Sequence, residues 1–270
     1  MGKVYSLTVA AMVGFGLMFA SCANHSAGHE ASELSFDSLV VDTATQVING
    51  ADTLKATVHI QLMLAKGDGA VTVNDSILNS GILLADLMPK DTAGMNVEQK
   101  VRAFAKNFLD SYRADYEEMK KEGSVSESFQ YSYDVTAKVE DNETDSIVNY
   151  ELGGYMFTGG AHGQSFSKAY NFNKSTGANI SKADLLKADA EKPVASLICG
   201  DMQRQLGVKS DEELKSMGVF YGMDAYVPDN FIVKPDSITF IYMSDEIAPH
   251  AVGEIRATLS KQALAKYLKK

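Results

Sequence analysis

The 270-residue sequence predicts an α+β fold, with antiparallel sheets, helices packed on one face and two subdomains. Three observations predict it. Apolar and polar residues alternate over 53–64, 129–140, 147–157 and 165–172, the period of half-buried strands. One apolar stripe recurs every three or four residues over 97–119, the period of a helix. The alternating runs after residue 129 follow one another with short polar links, which pairs them as an antiparallel meander. Composition agrees: 45% apolar residues can fill a core and 22% charged residues are ordinary, so wholesale disorder is excluded.

The first 22 residues stand apart. Lys3 precedes an apolar run from Leu7 to Ala20, about 14 residues, whereas a helix needs about 20 to cross a bilayer. That is the pattern of a secretory signal over residues 1–21. Its ending, Phe19-Ala20-Ser21-Cys22, resembles a bacterial lipobox, although Phe19 stands where Leu is commoner. The resemblance implies an acylated Cys22 at the mature N-terminus and a membrane partner through the lipid. An ordinary cleaved signal with an incidental Cys and a buried apolar helix are the competing readings. Ala23 follows the Cys, with no Asp to retain the protein at the inner membrane, so a cell-envelope, outer-membrane location is expected, on either face. Residues 22–36 are small and polar and read as a flexible tether.

In the body of the chain, Leu54, Ala56, Val58, Ile60 and Leu62 face one side of a strand, and Lys66-Gly67-Asp68-Gly69 breaks it as a turn. Asn74 to Met88 is apolar at helical spacing, interrupted by Gly81. The clearest helix is capped by Asn96 with Gln99 as its return partner, carries Phe104, Phe108, Tyr112 and Tyr116 on one stripe, and closes at Gly123. Three strands follow, with a polar tip at 141–145 that lacks calcium-loop spacing. Ser181–Leu186 and Pro193–Leu206 read as helices, and Ser210 with Glu213 opens another to Met217. Phe231–Val233 and Ile238–Met243 form a hairpin, Glu254–Leu259 a further strand and Lys261–Lys270 a basic terminal helix. The N-terminal subdomain is expected over 37–165 and the C-terminal one over 166–270.

The charge excludes some functions. With 25 Lys and Arg against 35 Asp and Glu, the formal charge is −10, the wrong sign for nucleic acid or an anionic lipid surface and the right one for a basic partner. Two cysteines rule out a disulfide-stapled scaffold, and Cys199 lies in an apolar stretch where a buried, inert thiol is expected. Searching for chemistry yields little. No Gly-x-Ser-x-Gly elbow, Ser-x-x-Lys, Walker loop or dinucleotide fingerprint is present, so no cofactor is implied. His25 and His29 are four apart but lie in the tether, with no Glu after His25 as a zincin motif needs, His59 falls on the polar face of a strand, and His162 and His250 are isolated in sequence, so no metal site or catalytic residue is assigned.

Two segments carry a resemblance. Thr158-Gly159-Gly160-Ala161-His162-Gly163, followed by Tyr170-Asn171-Phe172-Asn173 and Thr176-Gly177, is one. Ile238-Thr239-Phe240-Ile241-Tyr242, followed by Glu246-Ile247-Ala248-Pro249-His250-Ala251-Val252-Gly253, is the other. Together they resemble the extracytoplasmic module shared by the anti-sigma factor RsiV and the noncatalytic N-terminal part of the deacetylase PdaC. The family usually carries Tyr where His250 stands. The resemblance implies an α+β binding module over about residues 40–268, with lysozyme as a ligand in one branch. It does not imply catalysis, since the Asp-Asp pair and His-x-x-x-x-His motif of a polysaccharide deacetylase are absent.

The expectation is therefore an anchored, non-catalytic envelope module for a protein such as lysozyme or for peptidoglycan. Its expected recognition edge is Gly159, Gly160, Ala161, His162, Pro249 and His250. The same glycine-rich loop, read only as chain reversal, needs its glycines for positive φ. Two alternatives stay open: a wall or glycan hydrolase or deacetylase-related enzyme built around His162 and nearby acids, and a structural subunit of an envelope complex.

Overall fold

The computed structural model describes residues 33–126, 128–142 and 146–269. The signal, the Cys22 lipidation site and the tether up to residue 32 lie outside the described residues.

Eight strands form two sheets. The first takes β1 (Ser35–Asn49), β2 (Asp52–Lys66), β3 (Tyr131–Asp141), β4 (Ile147–Phe157) and β5 (Gln164–Asn173) in sequence order. The second takes β6 (Phe231–Val233), β7 (Ser237–Tyr242) and β8 (Ile255–Ser260). The α+β class holds.

β1 was not expected from the sequence. It pairs with β2 along its full length around Gly50, whose φ of +63° suits the two-residue reversal from Asn49 to Asp52. It already includes Ser35 and Phe36, so the tether expected over 22–36 ends earlier. β2 and β3 run parallel, with Ala56 opposite Tyr131, whereas the other pairs in both sheets are antiparallel. The connection between β2 and β3 contains α1 (Ala70–Leu78) and α2 (Val97–Glu122), long enough to carry the chain back to the starting end of the sheet.

The helix expected over 74–88 is shorter and earlier. α1 ends at Leu78, and Gly81 takes φ +85°, which a continuing helix does not allow. α2 follows the sequence signal closely. The Asn96 side chain accepts from the Gln99 amide at 2.9 Å, the Gln99 side chain accepts from the Asn96 amide at 2.9 Å, and Gly123 closes the helix in the left-handed region. Its buried stripe lies on one sheet face: Phe104 meets the Tyr133 ring edge-on at 5.0 Å, and Tyr112 stacks on Phe129 at 4.9 Å.

A second core lies between the other face-pair of elements. α4 (Glu191–Leu206) buries Val194, Ile198 and Met202 with Phe240, Ala257 and Leu259, together with Leu214 of α5 (Asp211–Ser216). The short α3 (Lys182–Leu185) precedes them. The basic terminal helix is a correction: α6 covers only Lys261–Leu264, after which Leu268 bridges Leu186 and backbone bonds join Lys187 to Tyr267 and Lys269 to Leu185.

The boundary expected between residues 165 and 166 falls inside β5, which pairs with β4 from Gln164 onward. The two sheets meet through asparagines. Asn142, Asn149 and Asn171 are all buried, on the face opposite the helices. Asn171 accepts from the Val233 amide at 2.7 Å and donates to the Phe231 carbonyl at 2.9 Å, and Asn149 donates to the Val233 carbonyl at 3.1 Å. Side chains of the first sheet thus satisfy the outer edge of β6, which would otherwise be left bare.

Candidate functional site

The structure brings the two motif segments together. The rings of His162 and His250 lie 5.6 Å apart, centroid to centroid, at 32°. Gly159 and Gly160 take φ +92° and +88°, so their glycine character serves the reversal between β4 and β5. Gly160, Ala161, His162, Pro249 and His250 are exposed and Gly159 half-buried.

The second segment is firmly held. Asp245, at φ +67°, receives the Nδ1 of His250 at 2.8 Å. Glu246 accepts from the Met243 amide at 2.7 Å and from the Tyr226 hydroxyl at 2.5 Å, and the Phe220 amide bonds the Ile247 carbonyl at 2.8 Å. Pro249 packs on Gly218, where a Cβ would sit 3.0 Å from its ring. Burial, then the Glu246 carboxylate, pushes the Tyr226 phenol up, so it stays a hydrogen-bond donor. His162, by contrast, has no hydrogen bond to a described residue. The carboxylate bonded at this edge, Asp245, is paired with His250 and not with His162. No group of three or more His, Cys, Asp or Glu is arranged to hold a metal among the described residues. Cys199 is buried, and burial pushes its thiol up to about 11.

Both segments lead into a groove of about 390 Å³ on the open face of the first sheet. The register builds its floor. Tyr155, Gly153 and Glu151 alternate along β4, opposite Asp134, Thr136 and Lys138 of β3, and Gly153 lies opposite Ser167 of β5. Glu254 and Arg256, just past the second motif segment, form the far wall. Arg256 bonds Glu151 at 3.1 Å and Glu254 at 2.6 Å, tying β8 to β4. Tyr155 is 41% exposed. Gly163 ends the first motif loop directly against it, since a Cβ there would fall 2.1 Å from the Tyr155 ring.

None of these groove residues was singled out by the sequence reading. The available signal was Gly153-Gly154 inside an alternating run, because glycine within a strand marks close approach of another group. The helix-side face holds a separate cavity of about 330 Å³, walled by Ile82, Leu84, Met156, Phe166 and Tyr133, with Lys168 on its lining.

Residues 183–262 match DUF3298, a family described as a protein of unknown function. The DUF3298 match covers the second core, from α3 to the start of α6. Over 174 residues the chain is 26% identical to the peptidoglycan-N-acetylmuramic acid deacetylase PdaC of Bacillus subtilis, which agrees with the module family read from the two motif segments. That alignment takes in 64% of this chain and 34% of PdaC, so the chain spans about a third of the length of the curated relative it matches. A crystal structure of a DUF3298 family member from Bacteroides fragilis has the same fold, with a TM-score of 0.72 at 21% identity, covering 88% of this chain and 94% of that one. One from Pseudomonas aeruginosa PAO1 has a TM-score of 0.58 at 17% identity, covering 87% and 94%.

Proposed function

We propose that the chain is the recognition body of an envelope lipoprotein, tethered to the outer membrane through Cys22, which holds cell-wall glycan without turning it over. The observation that supports this most is the meeting of His162 and His250 at one exposed edge, because two segments 88 residues apart in the chain then form a single surface. PdaC, the relative matched over 174 residues, is named for a peptidoglycan substrate, which favours the glycan. The way His162 is held favours binding over chemistry, since no carboxylate among the described residues bonds it. A second reading, a basic protein such as lysozyme, is favoured by the net charge of −10, which speeds encounter more than it tightens binding.

Retention of the purified chain on peptidoglycan sacculi and on immobilised lysozyme tests both. Retention on sacculi, with no released sugar, is the expected result. Flow-through on both supports at low salt, or measured turnover of the wall, overturns the reading. Release of Cys22→Ala into the aqueous phase on detergent partitioning is the result expected for the anchor.

A further inference from the structure

We infer that the groove between β4 and Arg256 is a subsite for one hexosamine ring of a neutral glycan strand, with Tyr155 as its stacking platform. The inference rests on the glycan reading above and assigns it to residues outside the two motif segments.

Three features of the groove are those of a site rather than of a bare sheet face. Gly153 and Gly154 are adjacent but serve opposite ends. A Cβ on Gly154 would strike the Phe166 ring at 2.4 Å and the Asp134 carbonyl at 2.5 Å, so internal packing requires that glycine. A Cβ on Gly153 would meet nothing within 4 Å, and its φ is not in the left-handed region, so neither packing nor conformation requires glycine there. What its missing side chain provides is open floor beside Tyr155, where another molecule can approach the strand. Tyr155 itself is seated on Gly163 and still 41% exposed, which presents an aromatic surface in a fixed place.

The polar groups suit sugar hydroxyls. Arg256 holds Glu151 and Glu254 in place, leaving carboxylate oxygens and guanidinium protons available along the groove from the platform. Ser167 lines both this groove and the helix-side cavity, and its buried hydroxyl has no hydrogen-bond partner among the described residues. Charge narrows the occupant. Asp134, Glu151 and Glu254 are set against Lys138 and Arg256, nearly balanced, so a strong polyanion gains nothing here. A protein partner needs a continuous apolar centre, and here charged side chains (Asp134, Lys138, Glu151, Glu254 and Arg256) interrupt the floor. A polyhydroxylated ring with one apolar face matches both the platform and the pairs.

The test is calorimetric titration of the purified full chain with the tetramer of N-acetylglucosamine, alongside retention on sacculi. Tyr155→Ala and Glu151→Gln are each expected to weaken tetramer binding at least tenfold and to reduce retention, with the melting temperature nearly unchanged for Tyr155→Ala because its side chain is exposed. Gly163→Ala, which leaves Tyr155 in the chain but displaces its ring, is expected to behave like Tyr155→Ala. Tyr221→Ala, 79% exposed and outside the groove, is expected to bind as wild type. Undiminished retention and affinity in all three groove variants overturns the subsite and leaves the glycan reading standing. Failure of the wild type on both tetramer and sacculi overturns the glycan reading and the subsite with it.

Discussion

Tyr133 and Tyr150 are both almost wholly buried in the first core, and burial pushes both phenols up so that each stays protonated. Their hydroxyls differ. That of Tyr150 accepts from the Met63 amide at 3.1 Å, while that of Tyr133 has no partner among the described residues. Removing a hydroxyl that answers a part-buried amide leaves the amide unsatisfied, at about 1–3 kcal/mol. Removing one that answers nothing costs little. Urea unfolding is therefore expected to show Tyr150→Phe destabilised by about 1–2 kcal/mol and Tyr133→Phe within about 0.5 kcal/mol of wild type or above it. An equal loss in both would mean that the Tyr133 hydroxyl is answered after all. Residues such as these mark the limit of what the sequence makes legible. His162 and His250 could be named one at a time, because a glycine-rich loop and a Pro-His pair stand out locally. Tyr155 could not, since its exposure follows from Gly163 beneath it and Gly153 beside it, and both need the register of β3, β4 and β5.

Among the elements, the local ones were readable and the long-range ones were not. The Asn96–Gln99 capping box and the Gly123 stop lie within α2 or at its ends, so their meaning is settled by the neighbouring residues. Strand β1 alternates weakly, with Thr43 and Thr45 in phase with Leu39 and Val41 where stronger apolar residues would announce a strand, and is held by its match to β2. The parallel β2–β3 pair and the asparagine contacts to β6 join residues far apart in sequence, for which periodicity has no signal. Asn171 is the centre of those contacts: it meets the Phe231 carbonyl, the Val233 amide and the Asn149 side chain. Asn171→Ala leaves two backbone groups of β6 and one N–H of the buried Asn149 amide unanswered at once. The expected loss is about 3 kcal/mol in denaturant unfolding, at the upper end for a single polar truncation. The cap variant Asn96→Ala, by comparison, is expected to lose only about 1 kcal/mol. A loss below about 1 kcal/mol at Asn171 would show that β6 is held mainly by its own hairpin.

At the scale of the whole molecule, the two cores are distinct, but strands of the second are capped by side chains of the first sheet. The segment matching DUF3298 ends at residue 262, before the backbone bonds that join Lys187 to Tyr267 and Lys269 to Leu185. It begins at 183, after every strand of the first sheet, and so leaves behind the asparagines that cover the edge of β6. It also uncovers Ile232 and Ile241, which are 2% and 1% exposed and pack with Ala169 of β5. A bare strand edge beside fresh apolar surface is a template for pairing with another copy. Residues 178–270 produced alone are therefore expected to self-associate, seen as a concentration-dependent rise in mass by light scattering, although this piece keeps the whole second core. Restoring residues 33–177 in the same chain is expected to return a monodisperse species. A monomeric, cooperatively melting 178–270 fragment would show that the first sheet is a neighbour to the second core and not part of what folds it.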